Sequence, residues 1–173
     1  MTYADTSIRL ANDADASLLP AIERSAGEAF RSVSGLEWIA DDDVLTAEIQ
    51  QIFIAEGTVW VAETRGCPIG FITTQIYDDA LHILELAVEQ SRQGQGVGRQ
   101  LVKTAREFAV THNIDALTLT TFRNVPFNQL FYQKLGFLTL DSDNLPSRLA
   151  ETMKAEIENG LPADRRCAMR MHL

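Results

Sequence analysis

The sequence predicts an α/β (α+β) domain whose elements run in the order β-α-α-β-β-β-α-β-α-β, with one further helix and strand at the C-terminal end. Three stretches carry that prediction. Leu81–Val102 is an apolar strand that enters a glycine-rich turn and then a helix, whose apolar positions Val97, Leu101, Ala105, Phe108 and Ala109 recur at helical spacing. Thr58–Thr64 and Ile69–Tyr77 are β-branched and aromatic runs joined by Arg65-Gly-Cys-Pro68, the pattern of a hairpin. Leu117–Thr121 followed by Phe122–Phe137 reads as strand, loop, short helix and glycine stop.

The other elements follow in order. Ser7–Ala11 is a short first strand. Asp13 or Asp15 is placed to cap the next helix, which aligns Leu18, Leu19, Ile22, Ala26 and Phe30 and tolerates Pro20 only in its first turn. Ser34-Gly35 ends it. Asp41, Asp42 and Asp43 fall at the N-terminal end of a second helix, where carboxylates suit the dipole, with Leu45, Ile49, Ile52 and Phe53 as its inner face. Asp78-Asp79 turns the chain into the central strand at Leu81. Phe137–Leu140 is a strand, Asn144-Leu-Pro146 opens a helix aligning Leu149, Met153 and Ile157, Asn159-Gly160 stops it, and Arg166–His172 is a last strand. No repeat, low-complexity tract or linker interrupts the chain, so residues 1–173 are expected to form a single domain.

Composition narrows the function. With 46% hydrophobic and 23% charged residues the chain is an ordinary soluble one. Its first residues lack a cationic start leading into an apolar core, and no apolar run reaches the length of a membrane span, so a cytoplasmic protein without a membrane partner is expected. Cys67 and Cys167 have no paired spacing and read as free thiols. A net charge of −9 argues against a nucleic-acid partner. Residues 1–60 hold eleven acids against three arginines, a balance that draws cations or simply aids solubility.

Gly94, Gly96 and Gly98 leave backbone accessible just where a helix start has N–H groups without helical partners, which suits phosphate oxygens. Two familiar phosphate loops are excluded. A dinucleotide fingerprint counted from Gly94 or Gly96 needs glycine where Arg99 or Leu101 stands, and no Gly-Lys-Ser/Thr occurs.

Two motifs make the reading specific. Gln93-Gly-Gln-Gly-Val-Gly98 resembles the Gln/Arg-x-x-Gly-x-Gly/Ala signature of the GNAT N-acetyltransferase superfamily, and Phe131-Tyr-Gln-Lys-Leu-Gly-Phe137 is similar to its Phe-Tyr-x-x-x-Gly-Phe, in family order and spacing. The resemblance implies a mixed, mostly antiparallel sheet of about seven strands with helices on both faces, splayed at the fourth and fifth strands. It implies acetyl-CoA as co-substrate, with its pantetheine arm along Leu86, Ala87 and Val88 and its pyrophosphate on Gln93, Gly94, Gln95, Gly96, Val97 and Gly98, beside Arg92 or Arg99. It also implies Tyr132 as the general acid for the CoA sulfur, and no metal. Many family members carry an Asn seven residues before that Tyr; here Val125 stands there, leaving Asn124 and Asn128 as the two candidates for contact with CoA.

Glu85 alternates with Leu81, Ile83 and Ala87, so it is a carboxylate on an apolar strand face, suited to act as a base or to grip a cationic acceptor; a cross-strand ion pair is the plainer alternative. His82 falls on the other face and reads as structural. Glu28, Phe30 and Trp38 combine charge and aromatic surface as a substrate-binding set for a small cation, although the two aromatics also suit a core. The expected activity is acetyl transfer to the primary amine of a small, cationic molecule. A protein N-terminus or lysine as acceptor, and a non-catalytic acyl-CoA-binding module, are the alternatives. Dimers are frequent in the family, so a homodimer is admitted by the resemblance, though no stretch of sequence demonstrates one.

Overall fold

The computed structural model describes residues 6–173, and the first five residues, on which part of the N-terminal reading rests, lie outside it. The elements are β1 (Thr6–Leu10), α1 (Leu19–Gly27), α2 (Ala47–Ala55), β2 (Val59–Thr64), β3 (Cys67–Tyr77), β4 (Ala80–Val88), α3 (Val97–Thr111), β5 (Ala116–Phe122), α4 (Gln129–Lys134), β6 (Leu138–Thr139), α5 (Ser147–Glu158) and β7 (Arg166–His172). The order is the expected one, and among the described residues seven strands pair as β1-β2-β3-β4-β5-β7-β6. The last strand therefore lies between β5 and β6, a placement no local pattern dictates.

The chain divides into two compact units. The first comprises the described residues up to Ile76 together with Leu84–Phe108. Its core joins Leu19 and Ile22 of α1, Ile54 of α2, Val59 and Val61 of β2, Phe71 of β3 and Ala87 of β4. The β2–β3 hairpin turns on Arg65 and Gly66, both at positive φ (53° and 78°), the conformation that matches the twist of the paired strands. Cys67 opposite Thr64 is already in the ladder, so the turn is two residues, shorter than the sequence suggests.

Two helix starts differ from expectation. Neither Asp13 nor Asp15 caps α1. Asp15 instead accepts a forked pair of hydrogen bonds from Arg9, at 2.7 and 3.0 Å, and one from the Asn12 N–H at 2.8 Å. An arginine fork outcompetes a single cap contact. Pro20 does sit in the first turn, and Leu19 and Ile22 are buried while Leu18 is exposed. The three aspartates do not cap α2 either. Thr46 does, accepting from the Ile49 N–H at 3.3 Å. The later start turns the helix, so that Gln50 and Ile54 face inward and Ile49 and Ile52 outward. Gln50 is accommodated by Thr73, whose hydroxyl donates to it at 2.8 Å.

The second unit comprises Tyr77–Ile83 and Ala109–Leu173. β5 pairs with β7 over seven positions, Ala116↔His172 to Phe122↔Arg166. On its other side β5 meets β4 in a parallel ladder registered at Leu81↔Leu117 and His82↔Thr118. Leu149 and Met153 of α5 pack on Ala168 of β7, with Leu140 and Leu145 beside them. Ile157, expected on that face, is half-exposed at the helix end, which Asn159 and Gly160 (φ 106°) close as anticipated.

Candidate functional site

In the first unit, β4 leads through a short 3-10 turn, Gln90–Arg92, into the loop Gln93–Gly96 and the start of α3. Gly94 and Gly96 adopt φ of 74° and 86°. A Cβ at either would meet no neighbour within 4 Å, so conformation rather than crowding selects glycine there. Helical bonding begins with the Gln100 N–H donating to the Gly96 carbonyl at 3.1 Å, while the Gln93 N–H, expected to face an anion, donates to the Gln90 carbonyl at 3.3 Å and closes the short turn before the loop. Gln93 anchors the loop by donating to the Val88 carbonyl at 3.1 Å and the Ala26 carbonyl at 3.4 Å. Gln95 donates to the Ser91 carbonyl at 3.1 Å. Val97 is buried, Gly98 half-buried, and Arg99 points to solvent with the rest of the loop. The loop is exposed, and at Gly94 and Gly96 it offers backbone without side chains.

Just before the loop, Ala87 is buried while Leu86 and Val88 are half-buried. Gly70 of β3 faces them: a Cβ on it would stand 3.0 Å from the Ala87 carbonyl oxygen and 3.2 Å from Val88 Cγ2. Strand β4 can lie so close only because residue 70 is glycine. The sequence offers that signal as a lone glycine inside a strand run.

Glu85 is half-buried, and its Oε1 accepts from the Leu86 N–H at 3.2 Å. Its carboxyl meets that of Glu23 of α1, which the sequence analysis counted only among the eleven acids of residues 1–60. Burial, and then the negative charge of Glu85, raise the Glu23 pKa well above the carboxylate range, although the Leu45 N–H donates to it at 3.2 Å. Two carboxyls in contact in such surroundings hold a proton between them.

The expected acceptor set is dispersed in its chemistry. Glu28 is forked by Arg31 at 2.8 and 3.0 Å, and the same guanidinium takes Asp41 at 2.8 and 3.0 Å, so the charge of Glu28 is met within the protein. Phe30 is half-buried in the 3-10 turn Glu28–Ser32. Trp38 is 43% exposed, which removes it from the core.

In the second unit Tyr132 is nearly buried on α4, edge-on to Phe131 and Phe137 at ring distances of 5.1 and 5.4 Å. Asn124 is exposed at φ 57°, its N–H bound by Gln129 Oε1 at 2.8 Å. Asn128 precedes α4 without capping it, and its Oδ1 is buried with no hydrogen-bond partner among the described residues. That buried acceptor distinguishes the two asparagines. Among the described residues no cluster of His, Cys, Asp and Glu could hold a metal ion, and no helix is long and apolar enough to cross a membrane.

Residues 20–137 match the family model described as Acetyltransferase (GNAT) family. An uncharacterized N-acetyltransferase of Chlorobaculum tepidum is 26% identical over 86% of each chain. Human N-acetylaspartate synthetase is 31% identical over 53% of this chain, which spans only 32% of that relative's length. Among solved structures, the PaiA N-acetyltransferase of Thermoplasma acidophilum in complex with coenzyme A superposes with a TM-score of 0.71 at 18% identity, covering 98% of this chain and 99% of that one. The N-acetylglutamate synthase of Neisseria gonorrhoeae, in complex with coenzyme A and N-acetyl-glutamate, gives 0.74 at 21% identity, covering 99% of this chain and 36% of that one. At these identities the superpositions establish a shared fold.

Proposed function

This chain belongs to the GNAT acetyltransferase family, and from that premise we propose that it is an acetyl-CoA-dependent N-acetyltransferase acting on the primary amine of a small, cationic molecule. The observation that carries the reading is the Gln93–Gly98 loop: two glycines at positive φ open directly onto the start of α3 at the end of β4. A pyrophosphate is the ligand that such backbone favours.

In this reading the N–H groups of Gly94–Gly98 bind the pyrophosphate while Gln93, whose N–H is given to Gln90, anchors the loop; Arg99 is a cationic neighbour, and the backbone of Leu86, Ala87 and Val88 pairs with the pantetheine arm. The buried, unpartnered Oδ1 of Asn128 makes it the better of the two asparagines for accepting a hydrogen bond from that arm, whereas the Asn124 side chain is exposed to water. Glu85 takes a proton from the incoming ammonium, with Glu23 holding the second proton of the carboxyl pair. The freed amine attacks the thioester carbon; the C–N bond forms and the C–S bond breaks. Tyr132, carried over from the motif, gives its hydroxyl proton to the departing sulfur and regains one from the new amide nitrogen. The proton left on Glu85 returns to solvent. Binding both partners in one complex supplies most of the advantage, because the thioester is already activated.

The acidic N-terminal third and the Glu23–Glu85 pair support a cation as acceptor. Glu28, with its charge met by Arg31, contributes less in this reading than Glu85, while Trp38 and Phe30 offer aromatic surface. The proposal includes a cytoplasmic location and admits a homodimer. Thiol release from acetyl-CoA across polyamines, aromatic amines, aminoglycosides, acidic and neutral amino acids and lysine peptides tests it. Release with small cationic amines is expected. Release confined to peptides would favour a protein acceptor, release confined to acidic amino acids would overturn the cationic acceptor, and acetyl-CoA binding without any release would leave a binding module.

A further inference from the structure

Arg148 stands in the first turn of α5 (Ser147–Glu158), where a cation opposes the helix dipole. Its position is explained by what it reaches. Arg148 Nε and Nη2 donate to the two carboxylate oxygens of Asp79 at 2.9 and 3.1 Å. Nη2 also donates to Thr118 Oγ1 at 3.0 Å, and Nη1 stands 3.3 Å from His82 Nδ1. The guanidinium lies 4.3 Å from the Tyr77 ring centre, and Arg170 approaches Asp79 at 3.8 Å. One side chain thus joins α5 to the ends of β3 and β4 and to β5, all within the second unit.

His82 and Thr118 are themselves register partners in the β4–β5 ladder, and their side chains bond at 2.9 Å. Since Thr118 Oγ1 accepts from Arg148, its own proton is free to go to His82 Nδ1. The imidazole nitrogen then faces two donors and carries no proton, which sets the tautomer with the proton on Nε2. Burial, and then the charge of Arg148, push the His82 pKa down to about 4, so the ring is neutral throughout the physiological range. The charged and titratable groups around it are Asp79, Arg148, Arg170 and Tyr77.

A parallel ladder registered at two positions is a weak constraint by itself. We propose that Arg148 is a positioning residue for acetyl transfer: by gripping Asp79, His82 and Thr118 together it locks β4 in register with β5, and so fixes the strand that runs on without a break to Glu85 and Leu86–Val88. This rests on the function proposed above. The bidentate fork is what the role needs, because a lysine ammonium cannot meet both Asp79 oxygens and Thr118 in one plane.

The test compares Arg148→Met, Arg148→Lys and Thr118→Val with wild type and with Lys154→Met, a change at an exposed position of the same helix. The measurements are acetyl-CoA affinity of the free protein, kcat and KM for an accepted amine, and amide hydrogen exchange at Leu86 and Val88. Arg148→Met is expected to weaken acetyl-CoA binding about tenfold and to accelerate exchange at both amides, in line with the sensitivity of positioned sites to small displacements. Arg148→Lys should fail to restore either, Thr118→Val should act in the same direction by a smaller factor, and Lys154→Met should match wild type. A fall in thermal midpoint with unchanged acetyl-CoA affinity and unchanged exchange would overturn the proposal, and Thr118→Val decides the matter if Arg148→Met does not fold. Wild-type protein that binds no acetyl-CoA would defeat the proposed function, while exchange at Leu86 and Val88 would still decide whether Arg148 holds the strand.

Discussion

The loop at Gln93–Gly98 and the segment at residues 28–46, both in the first unit, were equally prominent in the sequence and turned out very differently. The loop is made by local rules: glycines that accept positive φ, a helix that begins after them, and a Gln93 side chain that ties down its own strand end. The segment is made by side-chain partnerships whose members stand from 3 to 22 residues apart. Arg31 gathers Glu28 and Asp41, Glu23 takes the Leu45 N–H, and Trp38 is left facing solvent. Backbone geometry can be read from residue type at short range, whereas the use of a charge depends on which opposite charge the fold brings to it.

The sharpest break in that comparison would come at the loop. Gly96→Asp puts a side chain on a residue at φ 86° and a negative charge where the pyrophosphate is proposed to sit. Acetyl-CoA affinity measured by calorimetry is expected to fall about a hundredfold, roughly 3 kcal/mol; near-normal affinity would remove the loop from the binding site. Tyr132→Phe separates binding from chemistry. The ring still fills its place against Phe131 and Phe137, so acetyl-CoA affinity should hold while turnover falls about tenfold or more. Unchanged turnover would take Tyr132 off the catalytic list.

A smaller effect distinguishes the two accounts of how α2 starts. Thr46→Ala should cost about 1 kcal/mol in denaturant unfolding, and Asp42→Ala or Asp43→Ala about 0.5 kcal/mol or less, because the threonine hydroxyl and not the carboxylates meets the Ile49 N–H. The reverse ranking would restore the aspartates as caps. The smallest change is expected at Glu28→Gln. With Arg31 already answering that carboxylate, KM for a cationic amine should move less than about threefold, and a tenfold rise would return Glu28 to the acceptor site.

Much of the fold was legible because its signals are short-range. The β2–β3 hairpin, the glycine loop and α3, and α5 between Pro146 and Asn159 all stand where apolar spacing and stop residues put them. The misplaced helix caps share one cause. Asp13, Asp15 and Asp41–Asp43 look like helix caps by composition, but Arg9 takes Asp15, Arg31 takes Asp41, and Thr46 supplies the cap of α2. A short polar side chain has several acceptable partners, and the one it adopts is settled by packing elsewhere.

The sequence by itself determined the element order, the glycine loop and the family, since each depends on residue types a few positions apart. Only the tertiary structure decided that β7 lies between β5 and β6, that Gly70 is required by the Ala87 carbonyl, that Glu23 meets Glu85, and that Arg148 joins Asp79, His82 and Thr118. Each of these brings together side chains or strands from separate elements, and their energies come from burial and hydrogen bonding that exist only once the chain has closed on itself.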